Sequence, residues 1–329
     1  MGRDDVGAEP CPVCEGATFV EAFREIGHRF ERCVGCKFTR MADGSSEESL
    51  GAYYAEARAS GEAAWQEHAD NLVKFGRLLE RIERHVVPGR FLDVGCSIGT
   101  SLVAARDRGW DAIGIELSQP VAEFGRTKWG VDIREALLDD LVDDPSFASA
   151  SFDAIFMHHT LEHVKRPADL LEQCFALLRP GGVMFQGLPN HGSLKALLFG
   201  GRWSYGVTSE HVSHFTKAQV VRLVRRIGFE VLAVETPDAK QDPRLLHDIM
   251  HRIGRRERLA RATGASDGVF DAEKYIRYIT DRRWPNFVSN RLWPARLTRF
   301  IGRGQEVYVL ARKPAAATLA FRPTGAAKQ

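Results

Sequence analysis

The chain has 329 residues, 44% hydrophobic and 27% charged, with 45 Lys and Arg against 43 Asp and Glu for a net charge of +2. That size and balance suit a soluble globular protein with one large core plus a small accessory module. No apolar run of about 18 residues is present, which excludes a membrane-spanning helix, and Met1-Gly2-Arg3-Asp4-Asp5 lacks the apolar core of a secretory signal, so a cytoplasmic location is expected.

Four of the six cysteines come first, as Cys11-x2-Cys14 and Cys33-x2-Cys36. Two C-x-x-C turns offer four soft thiolates, so residues 1–45 are read as a zinc ribbon with Cys11, Cys14, Cys33 and Cys36 as ligands. Disulfides are the alternative, but nothing marks the chain as secreted. Phe19, Val20, Phe23 and Phe30 suggest short strands. A segment this small cannot fold on its own core, so the metal would supply its stability. Cys96 and Cys174 read as structural. Residues 46–87 read as a helical linker or lid, with Leu72, Phe75, Leu79, Ile82 and Val86 at three- and four-residue steps before Pro88-Gly89.

A longer domain, 88–314, then alternates strand and helix. The pattern predicts strands at 90–94, 112–116, 131–135, 152–157 and 182–188, with helices at 99–108, 119–128 and 168–178. A helix over 217–227, a strand over 229–234 and a last, antiparallel strand over 306–311 complete it. Residues 236–303 form a helical insertion, whose Tyr275, Tyr278, Trp284, Phe287, Trp293 and Phe300 recur at helical spacing and are assigned to a core. From Thr236 onward there are 19 Lys and Arg against 9 Asp and Glu, a basic stretch read as a solvated arginine-rich surface, with an anionic partner as the alternative. Residues 315–329 are read as a disordered tail.

The stretch Phe91-Leu92-Asp93-Val94-Gly95-Cys96-Ser97-Ile98-Gly99-Thr100 carries the most chemistry. A short apolar strand ends in an acid, and a glycine turn leads into a helix. The turn lets bare backbone approach a ligand. Glu116, ending the next strand, stands where a carboxylate grips ribose hydroxyls. An acid ahead of the turn repels a diphosphate but suits a cation. S-adenosylmethionine, with its sulfonium and ammonium groups, therefore fits better than a dinucleotide. Ser97 replaces a glycine, which requires a negative φ there.

These residues are similar to the class I S-adenosylmethionine-dependent methyltransferases, over about Phe91 to Glu235 and again from Gly304 to Lys313. Ser151-Phe152-Asp153-Ala154-Ile155-Phe156, Leu161-Glu162-His163-Val164 and Leu178-Arg179-Pro180-Gly181-Gly182 match later landmarks in order. The resemblance implies a doubly wound, mostly parallel seven-stranded Rossmann-like sheet. It also implies a cofactor site at Asp93, Gly95, Cys96, Gly99, Glu116 and His158. Where the family often holds the adenine with an acid, this chain has Leu137, which leaves a backbone contact for that task.

Two histidine groups sit at predicted strand ends or loops. His158-His159-Thr160-Leu161-Glu162-His163 resembles the E-x-x-E-H metal-binding stretch of ubiquinone-pathway O-methyltransferases, with His159 for the first Glu. His159, Glu162 and His163 could hold a divalent ion, or His158 and His159 could line the pocket. Glu210-His211-Val212-Ser213-His214 resembles the segment carrying the proposed base in sugar C-methyltransferases, except that Thr208 stands where those have Tyr, with Tyr205 nearby. The reading takes His211 as the base, oriented by Glu210, with His214 nearby and His191 in reserve. The alternative has these histidines merely packing behind a helix capped by Thr216. Gly200 to Gly206, with Trp203 and Tyr205, suits a lid over the acceptor.

The expected activity is methylation of a small molecule or saccharide, at oxygen, with a histidine base. Its rivals are C-methylation of a nucleotide-linked sugar, RNA methylation and a non-catalytic zinc-stabilised scaffold. The few basic residues near the knuckles (Arg32, Lys37, Arg40) argue against nucleic acid.

Overall fold

The computed structural model describes residues 9–42, 61–203, 205–208, 210–238 and 295–315. The start of the 46–87 segment, most of the 236–303 insertion and the tail from 316 lie outside the described residues, and with them Tyr275, Tyr278, Trp284, Phe287 and Trp293.

The elements run β1 (Phe19–Glu25), β2 (His28–Cys33), β3 (Thr39–Met41), α1 (Gly61–Ile82), β4 (Arg90–Val94), α2 (Thr100–Arg106), β5 (Asp111–Ile115), α3 (Gln119–Trp129) and β6 (Asp132–Arg134). They continue with β7 (Phe152–His158), α4 (Pro167–Leu177), β8 (Leu178–Pro189), α5 (Leu194–Phe199), β9 (Ser213–His214), α6 (Lys217–Ile227), β10 (Glu230–Glu235), α7 (Ala295–Phe300) and β11 (Glu306–Arg312). The main sheet has seven strands in the order β10-β11-β8-β7-β4-β5-β6. β4 through β8 pair in parallel, and β11 runs antiparallel against both β8 and β10. The chain order reverses between β4 and β7, which opens a crevice at the C-terminal strand ends.

Alternation along the strands sorts the core into two faces. In β4, Leu92 and Val94 point toward α4 and α6, where they meet Leu171, Phe175, Leu223 and Val224. Phe91 points the other way, toward Leu78, Leu79 and Ile82 of α1 and Leu102 of α2. The apolar stripe read on residues 72–86 thus becomes the face by which α1 covers the sheet. Helix α6 starts in a capping box, in which Thr216 N donates to Gln219 Oε1 at 2.8 Å and Gln219 N donates to Thr216 Oγ1. Among the described residues no helix is long and apolar enough to cross a membrane.

The N-terminal strands form a second sheet in the order β1-β2-β3-β9. Its fourth strand is borrowed from the segment before α6, with Thr39 opposite His214 and Arg40 opposite Ser213. The two C-x-x-C turns share one backbone pattern. Glu15 N donates to Cys11 O and Lys37 N to Cys33 O, with both donors at left-handed φ (63° and 65°). All four cysteines are free thiols, and their sulfurs lie within 4.8 Å of one another. A tetrahedron with Zn–S bonds of about 2.3 Å has sulfurs about 3.8 Å apart, so the set fits zinc. Cys11, Val13, Cys33 and Phe38 join the same apolar cluster as Phe215 and Val220. Gln219 Nε2 donates to Cys36 O at 2.9 Å. The ribbon is therefore welded to α6 by apolar packing and by this hydrogen bond.

Phe300 departs from expectation. It is 88% exposed, because the described residue of α7 that turns inward is Thr298, at 0%.

The weld has a measurable consequence. Phe38 is 1% exposed and packs on Phe215 with ring centroids 5.0 Å apart. Phe38→Ala should cost about 3–4 kcal/mol and shift a single urea transition; two separate transitions would mean that the ribbon folds on its own.

Candidate functional site

The glycine turn lies where β4 leaves the sheet. Positions 95, 97 and 99 all adopt left-handed φ, at 78°, 54° and 78°. Ser97 therefore does not have the negative φ that the sequence reading required. The turn curls so that Ser97 N points at the Glu116 carboxylate and donates to Oε2 at 3.0 Å, which offsets part of a left-handed cost of about 1–2 kcal/mol. Glu116 Oε1 accepts from Ser118 N at 2.9 Å, so one half-buried carboxylate gathers the edges of β4 and β5. Gly99 is the N-cap of α2. A Cβ on Gly95 would meet Thr160 Oγ1 at 2.7 Å. Thr160, which donates to Val94 O at 2.8 Å, closes the turn from the β7 side and was passed over in the sequence.

Asp93 is 3% exposed and accepts from Ser101 Oγ, while its other oxygen has no partner. Burial, with Glu116 nearby, pushes its carboxyl up to about 7. An orphaned buried carboxylate oxygen beside a left-handed turn fits a ligand carrying cationic or N–H groups. Cys96 is buried, with its sulfur packed against Gly114. His158, expected at the cofactor, stands on β7 with its ring among Phe75, Phe156 and Tyr308, on the α1 face. Leu137 is 40% exposed and its N–H donates to Asp140.

The two histidine groups, far apart in the chain, meet in space through His163 and His211. The rings of His163 and His211 lie 4.9 Å apart. One nitrogen from each lies within 4.8 Å of a Glu162 oxygen. His163 Nδ1 donates to Glu210 O and His211 Nδ1 donates to Gly206 O, both at 3.0 Å. With Nδ1 donating, His211 carries its lone pair on Nε2. Gly206 O, rather than Glu210, supplies the acceptor that orients His211, and it also accepts His191 Nε2 at 3.0 Å. His214 donates through Nε2 to His211 O at 2.7 Å and stacks near His191. Burial holds His211 down to about 3 and His214 to about 4, so both are neutral near pH 7. Trp203 is fully buried against His191 and Tyr205, which makes it an anchor of the loop.

The trio His159, Glu162 and His163 does not converge as one set. His159 instead lies between two carboxylates, with Nδ1 donating to Glu162 at 2.8 Å and Nε2 to Glu306 at 3.3 Å. Burial opposes its charging, but the carboxylates win and push it up to about 9. The second oxygen of Glu162 is buried without a partner. Glu306, at the start of β11, was missed in the sequence because an acid at a strand edge there reads as solvated surface.

The profile of a family described as "Methyltransferase domain" matches residues 65–234. Over 137 residues the chain is 31% identical to a ubiquinone biosynthesis O-methyltransferase of Marinobacter nauticus, covering 40% of this chain and 56% of that one. Over 149 residues it is 28% identical to a probable S-adenosylmethionine-dependent methyltransferase of Mycolicibacterium smegmatis, covering 45% and 54%. The chain thus spans about half the length of the curated relatives it matches. Among solved structures, a SAM-dependent methyltransferase from Archaeoglobus fulgidus superposes with a TM-score of 0.47 at 18% identity, covering 73% of this chain and 93% of that one.

Two outcomes are expected at the turn. Gly95→Ala forces a side chain into a left-handed position already closed by Thr160, and should weaken S-adenosylhomocysteine binding at least tenfold in calorimetric titration of folded protein. Asp93 keeps its proton in the folded chain up to about pH 7, whereas in the unfolded chain it loses it near the ordinary value of about 3.9. Its burial therefore costs stability progressively as pH rises through that window. A cationic ligand favours the ionised form, so S-adenosylmethionine should bind more tightly at pH 8 than at pH 6. Titrations at pH 6 in buffers of different ionisation enthalpy should show proton release on binding.

Proposed function

The chain belongs to the methyltransferase-domain family, and from that premise we propose that it methylates a hydroxyl group of a small molecule, with S-adenosylmethionine as donor and His211 as base. The observation that carries this reading is the convergence of His211, His163 and Glu162 at the strand edge that also bears the glycine turn. The bound donor would supply an electrophilic methyl group on a sulfonium. Asp93, Glu116 and the backbone of residues 95–99 would hold it, and Cys96 would pack beneath the turn.

The residues of the cluster divide the remaining work. His211 Nε2 would take the proton of the acceptor hydroxyl as that oxygen receives the methyl group from the donor. Gly206 O holds the opposite N–H, so the tautomer is set before the acceptor arrives. The Glu162 carboxylate, with an oxygen within 4.8 Å of a His211 ring nitrogen, would stabilise the imidazolium that forms. His214 and His191 act as supports behind the ring. A phenol or catechol, whose hydroxyl gives up its proton more readily than a sugar hydroxyl does, is the favoured acceptor. The similarity to a protein named ubiquinone biosynthesis O-methyltransferase supports the same class.

In this reading residues 1–45 are a zinc-bearing support, 46–87 a lid, and 88–314 the cofactor and acceptor domain, with zinc on Cys11, Cys14, Cys33 and Cys36. Incubation with methyl-labelled S-adenosylmethionine and a panel of phenols, catechols and reducing sugars tests it. Label should pass to an aromatic hydroxyl. His211→Ala should lower turnover by about 10²–10⁴ and leave S-adenosylhomocysteine affinity within twofold. Full turnover in that variant would remove the base assignment. Turnover abolished by a chelator and restored by a divalent ion other than zinc would reassign the cluster to metal binding.

A further inference from the structure

Glu306 is a buried carboxylate, 4% exposed, that four elements converge on. Tyr205, on the loop after α5, donates through Oη to Oε1 at 2.7 Å. His159, at the end of β7, donates through Nε2 to the same oxygen at 3.3 Å. Tyr308, two residues along β11, donates to Oε2. Lys74 of α1 reaches within 3.7 Å. Burying a lone carboxylate costs several kcal/mol unless charge and hydrogen bonds compensate, so these partners are tightly specified.

Two of these contacts lead to His211. Tyr205 immediately precedes Gly206, whose carbonyl fixes His211 Nδ1. His159 holds Glu162, whose carboxylate lies in the cluster with His211 and His163. We propose that Glu306 is a positioning residue for the base: through Tyr205 it fixes the carbonyl that sets the His211 tautomer, and through His159 it fixes the carboxylate that receives the imidazolium. This rests on the reading of His211 as base. Glu306 itself need not touch the acceptor. Its contact with Lys74 also ties α1 to the same point, so lid, loop and base share one anchor.

The test uses the full-length zinc-loaded protein with ¹⁵N-labelled histidine, as wild type and as Glu306→Gln and Tyr205→Phe. Long-range ¹H–¹⁵N spectra at pH 7 report the His211 tautomer without any acceptor. The wild type should show a single Nδ1–H form, and both variants a mixture or exchange-broadened signals. With catechol as acceptor, kcat should fall at least tenfold, while S-adenosylhomocysteine affinity stays within twofold. If Glu306→Gln does not fold, Tyr205→Phe, which removes one hydroxyl, carries the same reading. An unchanged His211 tautomer in the folded variants overturns the inference. Retention of wild-type kcat in those variants does so too, provided that His211→Ala has lost turnover. Turnover retained in His211→Ala overturns instead the base reading beneath it, whatever the Glu306 variant does.

Discussion

The reversal of strand order between β4 and β7 is the constraint on which the rest depends. Parallel strands end on one side of a sheet, and at the reversal the connections on either side diverge. The gap receives the glycine turn from β4, Glu116 from β5 and the histidine-rich segment after β7. Thr160, against Gly95 and bonded to Val94 O, joins the glycine turn to the segment that carries Glu162 and His163.

Charge burial sets the second level of organisation. Glu162, His159 and Glu306 form a row of carboxylate, imidazolium and carboxylate, with Lys74 and two tyrosine hydroxyls completing it. Such a row is a poor source of stability, because desolvation consumes most of the Coulombic gain. What it secures is direction, since each member has few arrangements that leave no charge unpaired. Behind it, His191, His211 and His214 stay neutral because burial outweighs the gain from protonation. Near pH 7 the site thus holds one charged imidazole, hydrogen-bonded to two carboxylates, beside several that rest neutral because burial dominates. The ribbon supports this wall directly, since β3 pairs with the strand that carries His214.

Much of the fold was legible along the chain. Most strand and helix boundaries from residue 90 to 235 fall within one or two residues of the observed elements, because alternating and three-to-four spacings decide which face each residue buries; β8, which begins at Leu178 rather than 182, and α5 and β9, which the pattern did not show, are the exceptions. The C-x-x-C pairs were legible because four thiols at that spacing have few other uses. The two histidine groups were also visible, but as separate features. Their union was not, because it depends on a loop doubling back from α5 so that Gly206 lies over His211. Glu306 was invisible as a site residue for the same reason.

Local pattern alone therefore determined the order of elements, the acid-and-glycine turn, the thiol set and the presence of histidines near strand ends. Each of these follows from side-chain type and short-range spacing. Tertiary structure alone decided the left-handed φ at Ser97, the exposure of Phe300 and the loan of a strand to the ribbon. It also decided which carboxylate faces which imidazole. Those outcomes depend on contacts between residues as far apart as His159 and Glu306, and no periodicity within either segment encodes a meeting of that kind.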